Sequence, residues 1–398
     1  MDSFIKVAHF SSGHEGGAGL AARRLNLALN VCGVDSKFFA ISTKKYRTEL
    51  YEYQIPRNRF QKSLSRSITY LQQNLKTKYF FSLMSFSLLN VRFIKSQKLN
   101  TSTILHFHNW YNLISQKNIL KLANLGFKVV LTMHDERFYT GGCHYSFDCN
   151  GFQKDCSNCP ELTYLLSKIP KKNLQRITVE AHKTKPKIHL IAPSMWIKER
   201  AITSKLLRDF DIKFIPNTVG PKLEANSQSK SFTYSKLITI GIASFDIHAY
   251  IKGFDTIREL EDLISQKYQE FRIIYLKNIE EEKFEEKFWH KIDFLLVPSK
   301  VDNSPNVIHE AKMYGVPVIA TITGGITELL NFQYDIPISV DKLSGNEIIS
   351  RIRNWIQLTP EAIKKNRELM QSQFRSYSGD SVLAHINYYK EIINNDDQ

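Results

Sequence analysis

The sequence predicts an α/β protein built from two Rossmann-like domains, each a parallel sheet covered by helices. Three observations carry this prediction. The 398 residues exceed the size at which a single hydrophobic core stops growing. Short apolar runs alternate with helical patterns along both halves, which is typical of parallel sheets. In each half, a first strand also leads through a glycine-containing turn into a helix, at residues 5–33 and 237–268.

The composition indicates a globular protein with a strong positive charge. Hydrophobic residues make up 42% of the chain, and 54 lysines and arginines against 39 acidic residues give a net charge of +15. This charge suits a nucleotide, a nucleic acid or an anionic membrane surface, and alone it does not choose among them. Because MDSFIKVAHF runs directly into a strand pattern, we expect no signal peptide and a cytoplasmic protein. No transmembrane helix is predicted.

The first strand, residues 5–10, leads into the glycine-rich turn SSGHEGGAGLAA. Gly17, Gly19 and Ala22 fit the G-x-G-x-x-A spacing, in which glycines let backbone amides approach a phosphate or a sugar. A nicotinamide or flavin cofactor is not expected, because the second strand lacks the acidic residue that such a site requires. A tight turn without any ligand remains an alternative explanation of the spacing.

Basic and aromatic side chains are interleaved along residues 58–96. The segment predicts either contact with an anionic membrane surface or an ordinary amphipathic helix whose aromatic side chains lie in the core. A nucleic-acid partner is not expected, because no recognised nucleic-acid-binding module accompanies the charge.

Histidines stand at the ends of two further predicted strands, residues 103–107 and 129–132. His106 and His108 mark the end of the first strand, and His134 follows the second. Loops at the carboxyl ends of parallel strands line the ligand crevice of an open α/β sheet, so these histidines are candidate site residues. Taken singly, each is also explained as a hydrogen-bonded structural histidine.

Four of the five cysteines lie in the loop after His134, at Cys143, Cys149, Cys156 and Cys159. In a chain expected in the cytoplasm, this density points to a metal before a disulfide. The C-x-x-C pair has the spacing of a zinc knuckle, and four thiolates suit a tetrahedral structural zinc. Oxidisable thiol pairs, or unlinked cysteines in a packed loop, are the alternatives.

The second half begins after a polar run at 222–231, which is the best candidate for a linker. Lys252 precedes Gly253 at the start of the first helix of this half, where a lysine is well placed for a phosphate. An ordinary surface lysine is the alternative. Helices are also predicted at 279–290, 346–356, 361–374 and 380–393, and strands at 271–276, 294–297 and 316–321.

The segment FLLVPSKVDNSPNVIHEAKMYGVPVIATITGG predicts strand, loop, helix and strand. Ser304 suits the N-cap and Pro305 the first helical position. Asn306 and Glu310 share one helix face, and Asp302 lies in the loop that precedes the helix. The first-turn amides lack intrahelical partners and favour an anionic ligand such as a diphosphate. The alternative is an ordinary solvent-exposed connection between strand and helix, in which the acidic residues have no part in binding.

Together these motifs resemble those of retaining GT-B glycosyltransferases of family four, of the colanic-acid and exopolysaccharide biosynthesis type. The motifs are GGAG, HDERFYTGGCHY with the later C-x-x-C pair, IKGFD and DNSPNVIHEA. The resemblance covers nearly the whole chain and implies two Rossmann-like domains facing across a cleft, the C-terminal one shortened. The implied parts are an acceptor-side domain at 1–220 with its Cys-rich loop at 141–162, a linker at 221–232, a donor-binding domain at 233–375, and a helix at 376–398 packed back on the first domain.

The resemblance also implies roles for single residues. Glu310 matches the second carboxylate of the E-x7-E motif, which binds the donor ribose, and Asp302 matches the first, which contacts the sugar hydroxyls. Lys252 would neutralise the leaving diphosphate, and His134 would contact the donor sugar near its reacting carbon. Further donor-binding groups are implied at Gly17, Gly19, Ser244, Asn306 and Val307. Catalysis in this family requires no cofactor or divalent metal, so any zinc would be structural.

The resemblance therefore predicts transfer of a hexose-type residue from a nucleotide diphosphate sugar to a lipid-linked acceptor or a growing glycan. The expected location is the inner face of the membrane, with residues 58–96 in peripheral contact. The alternative is a catalytically weakened GT-B protein that binds a sugar nucleotide or a partner transferase without turnover. The shortened C-terminal domain motivates this alternative. Two further departures from the family pattern are that Asp302 is one methylene shorter than the usual glutamate and that Ser244 stands where a phosphate-binding arginine often precedes the lysine.

Overall fold

The protein divides into two compact units. The computed structural model describes residues 5–41, 51–74, 81–82, 87–162, 166–184, 188–221, 237–243, 250–276 and 282–395. The N-terminal unit comprises Met1–Pro216 and Val382–Gln398, and the C-terminal unit comprises Asn217–Ser381. Of the linker predicted at 221–232, only the first residue is described.

A seven-stranded parallel sheet forms the centre of the N-terminal unit. The strands are β1 (Lys6–Ser11), β2 (Asp35–Ala40), β3 (Glu52–Gln54), β4 (Ile104–Phe107), β5 (Lys128–Thr132), β6 (Ile188–Ala192) and β7 (Ile212–Phe214). Their order is β3-β2-β1-β4-β5-β6-β7, so the direction of winding reverses between β1 and β4. Strand β4 is buried along its whole length, as expected of a parallel sheet with both faces covered.

The helices of this unit follow the strands in alternation. They are α1 (Gly16–Val31), α2 (Arg59–Asn74), α3 (Val91–Ser96), α4 (Gln116–Asn124), α5 (Ile169–Thr184) and α6 (Met195–Thr203). Asn90, Ser115 and Ser194 are the N-caps of α3, α4 and α6, and each side chain accepts a hydrogen bond from a first-turn amide. These polar residues therefore decide where three of the helices begin.

The C-terminal unit is built on a five-stranded parallel sheet. Its strands are β8 (Ile238–Ala243), β9 (Phe271–Leu276), β10 (Phe294–Val297), β11 (Val318–Thr321) and β12 (Ile336–Ile338), in the order β12-β11-β10-β8-β9. Its helices are α7 (Phe254–Gln266), α8 (Glu282–Lys291), α9 (Asn306–Met313), α10 (Ile326–Leu329), α11 (Gly345–Trp355) and the first part of α12 (Pro360–Asn395), whose residues from Val382 onward belong to the N-terminal unit. The winding of this sheet reverses between β8 and β10.

Aromatic side chains fill the cores of both units. In the N-terminal unit the ring of Phe10 stacks between those of Phe39 and Phe107, with centroids 5.2 Å apart in each case. In the C-terminal unit one cluster contains Trp289 and another contains Trp355. The sheets therefore lie between apolar layers, which leaves the carboxyl ends of the strands as the places where polar side chains gather.

Two details differ from the sequence predictions. The helices predicted at 361–374 and 380–393 are one helix, α12, because Gly379 continues the helix instead of ending it and a Cβ there would meet no described atom within 4 Å. A glycine inside a helix costs only about 1 kcal/mol relative to alanine. The N-cap of α9 is Pro305 and not Ser304, so the helix begins one residue later than predicted. No helix in the described ranges is long and apolar enough to cross a membrane.

Candidate functional site

A small cavity lies at the carboxyl ends of β8 and β10, where the winding of the C-terminal sheet reverses. It has a volume of about 30 Å³, and its lining includes Lys252, Asp302, Pro305 and Val307 together with the ends of both strands. Open α/β sheets bind their ligands outside the carboxyl ends of the strands at such a reversal. Three predicted site residues, Lys252, Asp302 and Val307, therefore meet at the position where this architecture places a ligand.

Lys252 and Asp302 form an ion pair at this cavity. The distance from Lys252 Nζ to Asp302 Oδ2 is 2.5 Å, and the two side chains are 31% and 10% exposed. Asp302 Oδ1 accepts a hydrogen bond of 2.8 Å from the backbone amide of Asn303. Gly253 holds Lys252 in place, since its φ is +72° and a Cβ there would lie 2.1 Å from the carbonyl oxygen of Pro298. Only glycine fits this turn without strain.

The loop that carries Asp302 is fixed by a pair of glycines after β11. Gly324 has a φ of +55°, and a Cβ at this position would lie 2.2 Å from the carbonyl oxygen of Asp302. That same oxygen accepts a hydrogen bond of 3.0 Å from the amide of Gly325. Thr321 Oγ1 donates a hydrogen bond to the carbonyl of Ser299. These two glycines therefore hold the loop that carries Asp302 against the segment after β11.

Helix α9 begins directly beside the cavity. Its N-cap, Pro305, supplies no side-chain hydrogen bond to the first-turn amides. Asn217 Nδ2 donates to Asn306 Oδ1 at 3.2 Å and lies 3.4 Å from the carbonyl oxygen of Ser304, which ties the start of the helix to the segment after β7. Glu310 is 3% exposed and lies one turn after Asn306. Neither side chain is part of the cavity lining, and Ser244 lies outside the described residues.

A buried ion pair that the sequence analysis missed anchors the same helix. Lys312 and Asp335 are in direct contact, and both side chains are fully buried. Asp335 also accepts hydrogen bonds from the amides of Val318 at 3.0 Å and Asn331 at 2.8 Å. The ammonium of Lys312 lies 4.4 Å from the centre of the Tyr334 ring, and burial lowers the pKa of Lys312 to about 8. Its partner is too distant in sequence for local periodicity to reveal it.

The glycine turn of the N-terminal unit lies within the start of α1. Gly17 and Gly19 both belong to the first turn of the helix, and Gly16 has a φ of +78°. A Cβ at Gly19 would lie 2.4 Å from the carbonyl oxygen of Gly13, whereas a Cβ at Gly17 would meet no described atom within 4 Å. Gly19 is therefore needed for packing of the preceding loop against the helix, and at Gly17 packing gives no reason for a glycine.

Three histidines form a hydrogen-bonded row where the winding of the N-terminal sheet reverses. His9 Nδ1 lies 3.0 Å from His108 Nε2, and His108 Nδ1 lies 3.1 Å from His134 Nε2. His9 is fully buried in β1 and is in register with His106 of β4. His134, His106 and His108 were predicted as candidate site residues, whereas His9 gave no such signal because it lies within a buried strand.

Burial keeps these histidines neutral. It lowers the pKa of His9 to about 3 and that of His134 to about 4, and it lowers the pKa values of His106 and His108 well below 6.5. The neighbouring imidazoles lower these pKa values further, because each positive charge would repel the next. The cluster therefore contains imidazoles and not imidazolium ions at neutral pH.

This neutrality predicts a loss of stability of the N-terminal unit in acid. Unfolded histidines take up protons near pH 6.5, whereas His9 and His134 do not until about pH 3 and 4, so unfolding binds protons in this window. The stabilisation is complete above pH 6.5 and is lost as pH falls towards 4. Below pH 6.5 we expect the free energy of unfolding to decrease by about 1.4 kcal/mol per pH unit for each histidine kept neutral, measured by urea unfolding between pH 7.5 and 5.

A matched variant tests the origin of this pH dependence. His144 is also kept neutral, since burial lowers its pKa to about 3, and its Nε2 lies 2.6 Å from Ser82 Oγ. The variant His144→Gln removes one such imidazole and keeps a hydrogen-bonding side chain, so we expect a slope smaller by about 1.4 kcal/mol per pH unit. A free energy of unfolding that stays constant between pH 7 and 5 in the wild type would contradict the prediction.

The segment after His134 is anchored by two ion pairs. Arg137 Nη2 lies 2.6 Å from Asp135 Oδ2, and Arg200 Nε lies 2.6 Å from Glu136 Oε1. Glu136 is fully buried and also accepts a hydrogen bond of 3.0 Å from the hydroxyl of Tyr139. These contacts hold the loop that carries His134 against α6, a role that the HDER motif did not reveal by itself.

The four cysteines of the predicted zinc site lie in one loop as free thiols. Burial raises the pKa of Cys143 well above its usual value, and the other three cysteines raise it further, so the four sulfur atoms are neighbours. This donor set suits zinc, whose charge would offset that repulsion. A tetrahedral site needs sulfurs about 3.8 Å apart. Within the described residues, however, only imidazole nitrogens form a group of three ligand atoms within 4.8 Å, so the sulfurs would have to move closer.

The zinc proposal predicts one zinc ion per chain in protein purified under reducing conditions. Elemental analysis is the measurement, and the variant Cys156→Ser should lose the metal because a tetrahedral site would lose one of its four ligands. Cys32→Ser is the control, since Cys32 is exposed and lies outside the loop, so its metal content should equal that of the wild type. Absence of stoichiometric zinc from the wild-type protein would overturn the proposal and leave the thiols as packed, unlinked side chains.

Comparison with known proteins agrees with this architecture. Residues 235–357 match the family model described as Glycosyl transferases group 1. Over 332 residues the chain is 24% identical to the putative colanic acid biosynthesis glycosyl transferase WcaC of Escherichia coli K12. The aligned region is 73% of this chain and 76% of that protein. The family match includes β8–β12 and the cavity residues Lys252 and Asp302.

Solved structures give the same fold for the whole chain. A glycosyltransferase from Rickettsia africae superimposes with a TM-score of 0.61 at 14% identity, covering 99% of this chain and 100% of the other. Anabaena Alr3699/HepE in complex with UDP and glucose superimposes with a TM-score of 0.58 at 14% identity, covering 96% and 99%. The predicted fold class is thus confirmed, and the family match and the relative agree with the resemblance to glycosyltransferases. The chain has the GT-B fold, and residues 235–357 of its C-terminal unit match the group 1 glycosyltransferase family.

Proposed function

We propose that the protein is a retaining glycosyltransferase that moves a sugar from a nucleotide diphosphate sugar to a lipid-linked acceptor or a growing polysaccharide. One observation carries the proposal. In the segment that matches the group 1 family, Lys252, Asp302 and the uncapped start of α9 surround one cavity at the strand-order reversal of the sheet. A cation beside a helix N-terminus that has no side-chain cap is an arrangement suited to a diphosphate.

The donor in this proposal is a uridine diphosphate sugar. HepE, a structure of the same fold, is described in complex with UDP and with UDP-glucose. In our proposal the diphosphate takes the place of Asp302 as the partner of Lys252, and Glu310 binds the ribose. Asp302, released from the lysine, contacts the hydroxyl groups of the sugar. Asn306 and Val307 offer backbone amides at the start of α9. In the N-terminal unit, Gly17 and Gly19 let backbone amides at the start of α1 approach a phosphate or a sugar.

The chemistry follows from charge that develops as the glycosidic bond breaks. The leaving diphosphate gains negative charge while the sugar becomes an oxocarbenium-like species. Lys252 and the amides of α9 stabilise the first charge because they are already positioned before the reaction. His134, which is neutral, contacts the sugar near its reacting carbon as a hydrogen-bonding group. This scheme requires no cofactor, and zinc in the cysteine loop would be structural.

The acceptor side of the proposal includes an anionic membrane surface. The described side chains of α2 are mostly exposed, among them Lys62 and Arg66, and they are joined by Leu64 at 37% and Tyr70 at 67% exposure. A basic helix that exposes apolar side chains suits the interface of an anionic bilayer. In this proposal the protein acts at the cytoplasmic face of the membrane, where a lipid-linked acceptor would be available. Residues 75–80 and 83–86 of the predicted segment lie outside the described residues.

The direct test is turnover with a panel of UDP-, GDP- and dTDP-sugars in the presence of membrane extract. We expect release of free UDP, and NMR of the product should show the anomeric configuration of the donor. The variant Glu310→Ala should lower kcat/KM about 100-fold or more, because a buried carboxylate that binds the ribose is lost. Glu347→Ala is the control, since that acid lies on α11, outside the cavity lining, and pairs with the exposed Arg351.

The outcomes separate the main alternatives. A product with the anomeric configuration opposite to that of the donor would refute the retaining mechanism. The proposal of a glycosyltransferase would still hold. Binding of UDP-sugars without turnover would favour the catalytically weakened binding protein. Neither binding nor turnover with any donor would contradict both functions.

A further inference from the structure

We propose that His9 and His108 are positioning residues that hold His134 as the tautomer protonated at Nδ1. The three side chains form a row of two hydrogen bonds, at 3.0 Å between His9 and His108 and at 3.1 Å between His108 and His134. The inference deepens the proposed function, because it concerns the imidazole that would contact the donor sugar. Its main test does not require turnover.

The geometry restricts the possible proton positions. A neutral imidazole carries one N–H and one bare nitrogen, so His108 must donate in one of its two bonds and accept in the other. Both bonds therefore run in the same direction. In the forward row, His9 Nδ1–H donates to His108 Nε2, and His108 Nδ1–H donates to His134 Nε2. In the reversed row both bonds run the other way, and His134 donates from Nε2.

The far end of the row selects one direction. His9 is fully buried, and its Nε2 has no hydrogen-bond partner among the described residues. In the reversed row this nitrogen would carry a buried N–H with no acceptor, whereas in the forward row it is a bare nitrogen. Orphaned buried N–H groups are rarer in proteins than under-satisfied acceptors. The forward row is therefore favoured, and His134 accepts at Nε2 and carries its proton on Nδ1.

The tautomer has a consequence for the proposed reaction. With Nε2 occupied as an acceptor, the remaining nitrogen of His134 is an N–H donor and not a base. The residue can then hold a sugar oxygen by donating a hydrogen bond, and it does not remove a proton from the acceptor. The other charged or titratable groups around His134 are Asp135 and Arg137 on the following segment and His385 on α12. The charges of Asp135 and Arg137 are opposite in sign, and they do not replace the hydrogen bond that His108 donates to Nε2 of His134.

A metal ion is the competing explanation of the cluster, because ligand nitrogens of His9, His106 and His108 lie within 4.8 Å of one another. A metal would need a bare nitrogen from each. His106 already uses both nitrogens, on the Tyr389 hydroxyl and on Thr132 Oγ1, at 2.7 Å each. His108 uses both of its nitrogens in the row. Metal binding would therefore break several buried hydrogen bonds, so the row explains the contacts better.

The decisive measurement is the tautomer of His134 in the full-length protein labelled with ¹⁵N-histidine. Long-range ¹H–¹⁵N correlation spectra at neutral pH distinguish protonated from bare ring nitrogens. We expect His134 to be protonated at Nδ1 only. A His134 protonated at Nε2, or on both nitrogens, would overturn the proposal, and so would stoichiometric zinc that disappears in His9→Asn. The wild-type spectrum decides the matter even where a variant fails to fold.

Two substitutions at His9 test whether this residue sets the direction. The amide of His9→Asn still offers an N–H donor near the former Nδ1, so His134 should stay protonated at Nδ1. The thioether of His9→Met offers only a weak acceptor, so the row should reverse and His134 should shift to Nε2–H. Thr132→Val is the control, because it removes a hydrogen bond of His106 and leaves the row intact. An unchanged His134 in a folded His9→Met protein would overturn the role of His9.

Activity gives a second readout once a donor that turns over is known. We expect His9→Met to lower kcat about 10- to 100-fold, with a smaller change in KM, and His9→Asn to retain most of the wild-type rate. Absence of turnover in the wild type would count against the proposed function alone, because the tautomer is read from the spectrum. A reversed tautomer with an unchanged kcat would refute the catalytic consequence.

Discussion

Replacing Lys252 by alanine is expected to lower kcat about 100- to 1,000-fold, which is the usual cost of losing one preorganised group that stabilises transition-state charge. The ammonium group lies at the cavity with Asp302 as its partner, 2.5 Å away. Because the lysine side chain is 31% exposed, the ion pair itself contributes at most about 1 kcal/mol to stability. The loss of activity should therefore occur in a fully folded protein. Steady-state kinetics with the active donor measures the effect.

Lys300→Ala is the matched control for Lys252. Lys300 lies in the neighbouring loop after β10, where it pairs with Asp255 at 2.6 Å and lies 3.7 Å from the centre of the Tyr250 ring. The variant Lys300→Ala removes the same positive charge from the same edge of the sheet as Lys252→Ala does. Lys300, however, is not part of the cavity lining. We expect kcat within about threefold of the wild type, because the ammonium of Lys300 pairs with Asp255 and is not part of the cavity lining. Equal losses in both variants would contradict a specific role for Lys252.

Replacing Lys312 by alanine is expected to destabilise the C-terminal unit by about 3–5 kcal/mol. The side chains of Lys312 and Asp335 are fully buried and in direct contact. Without the lysine, Asp335 is left as a buried charge whose backbone hydrogen bonds do not replace the lost cation. Helix α9 should then open more easily, which hydrogen exchange of peptides from residues 306–321 detects separately from the N-terminal unit.

An exposed ion pair of the same unit provides the comparison. Arg351 pairs with Glu347 across one turn of α11, and the arginine side chain is 47% exposed. Arg351→Ala should cost less than about 0.5 kcal/mol, as is usual for such pairs. The double variant Lys312→Met with Asp335→Asn should be more stable than Lys312→Ala, because no unpaired charge remains buried. A Lys312→Ala protein as stable as the wild type would show that the pair does not anchor α9.

The order of most strands and helices could be predicted from the sequence because each of them has its own local pattern of residues. The strand at Phe294–Val297 has the predicted bounds, since four apolar residues are bracketed by polar residues and a proline. Strands β3 and β12 were not predicted, because three-residue strands are too short to show periodicity. Helix α9 ends just before Gly315, whose φ of +67° favours a glycine after a helix. Its predicted start is one residue too early because Ser304 and Pro305 both favour a helix start.

The candidate site was only partly visible for a related reason. Lys252 and Asp302 were each noticed from local context, yet their pairing depends on the crossover that brings β8 beside β10. His9 and Lys312 gave no signal at all, since a histidine within a strand and a lysine within a helix are common. Their partners lie at His108 and Asp335, far away in sequence, and only the register of the sheets and the packing of α9 bring them into contact.

By itself the sequence determined the two α/β units, the glycine turns and the motifs of the glycosyltransferase family, because periodicity, turn chemistry and residue spacing are local properties of the chain. The tertiary structure decided which polar groups are buried together. It placed three neutral imidazoles in one row and a lysine against an aspartate in a core. Burial makes such groups costly unless they are paired, and pairing is settled only when distant strands and helices come together.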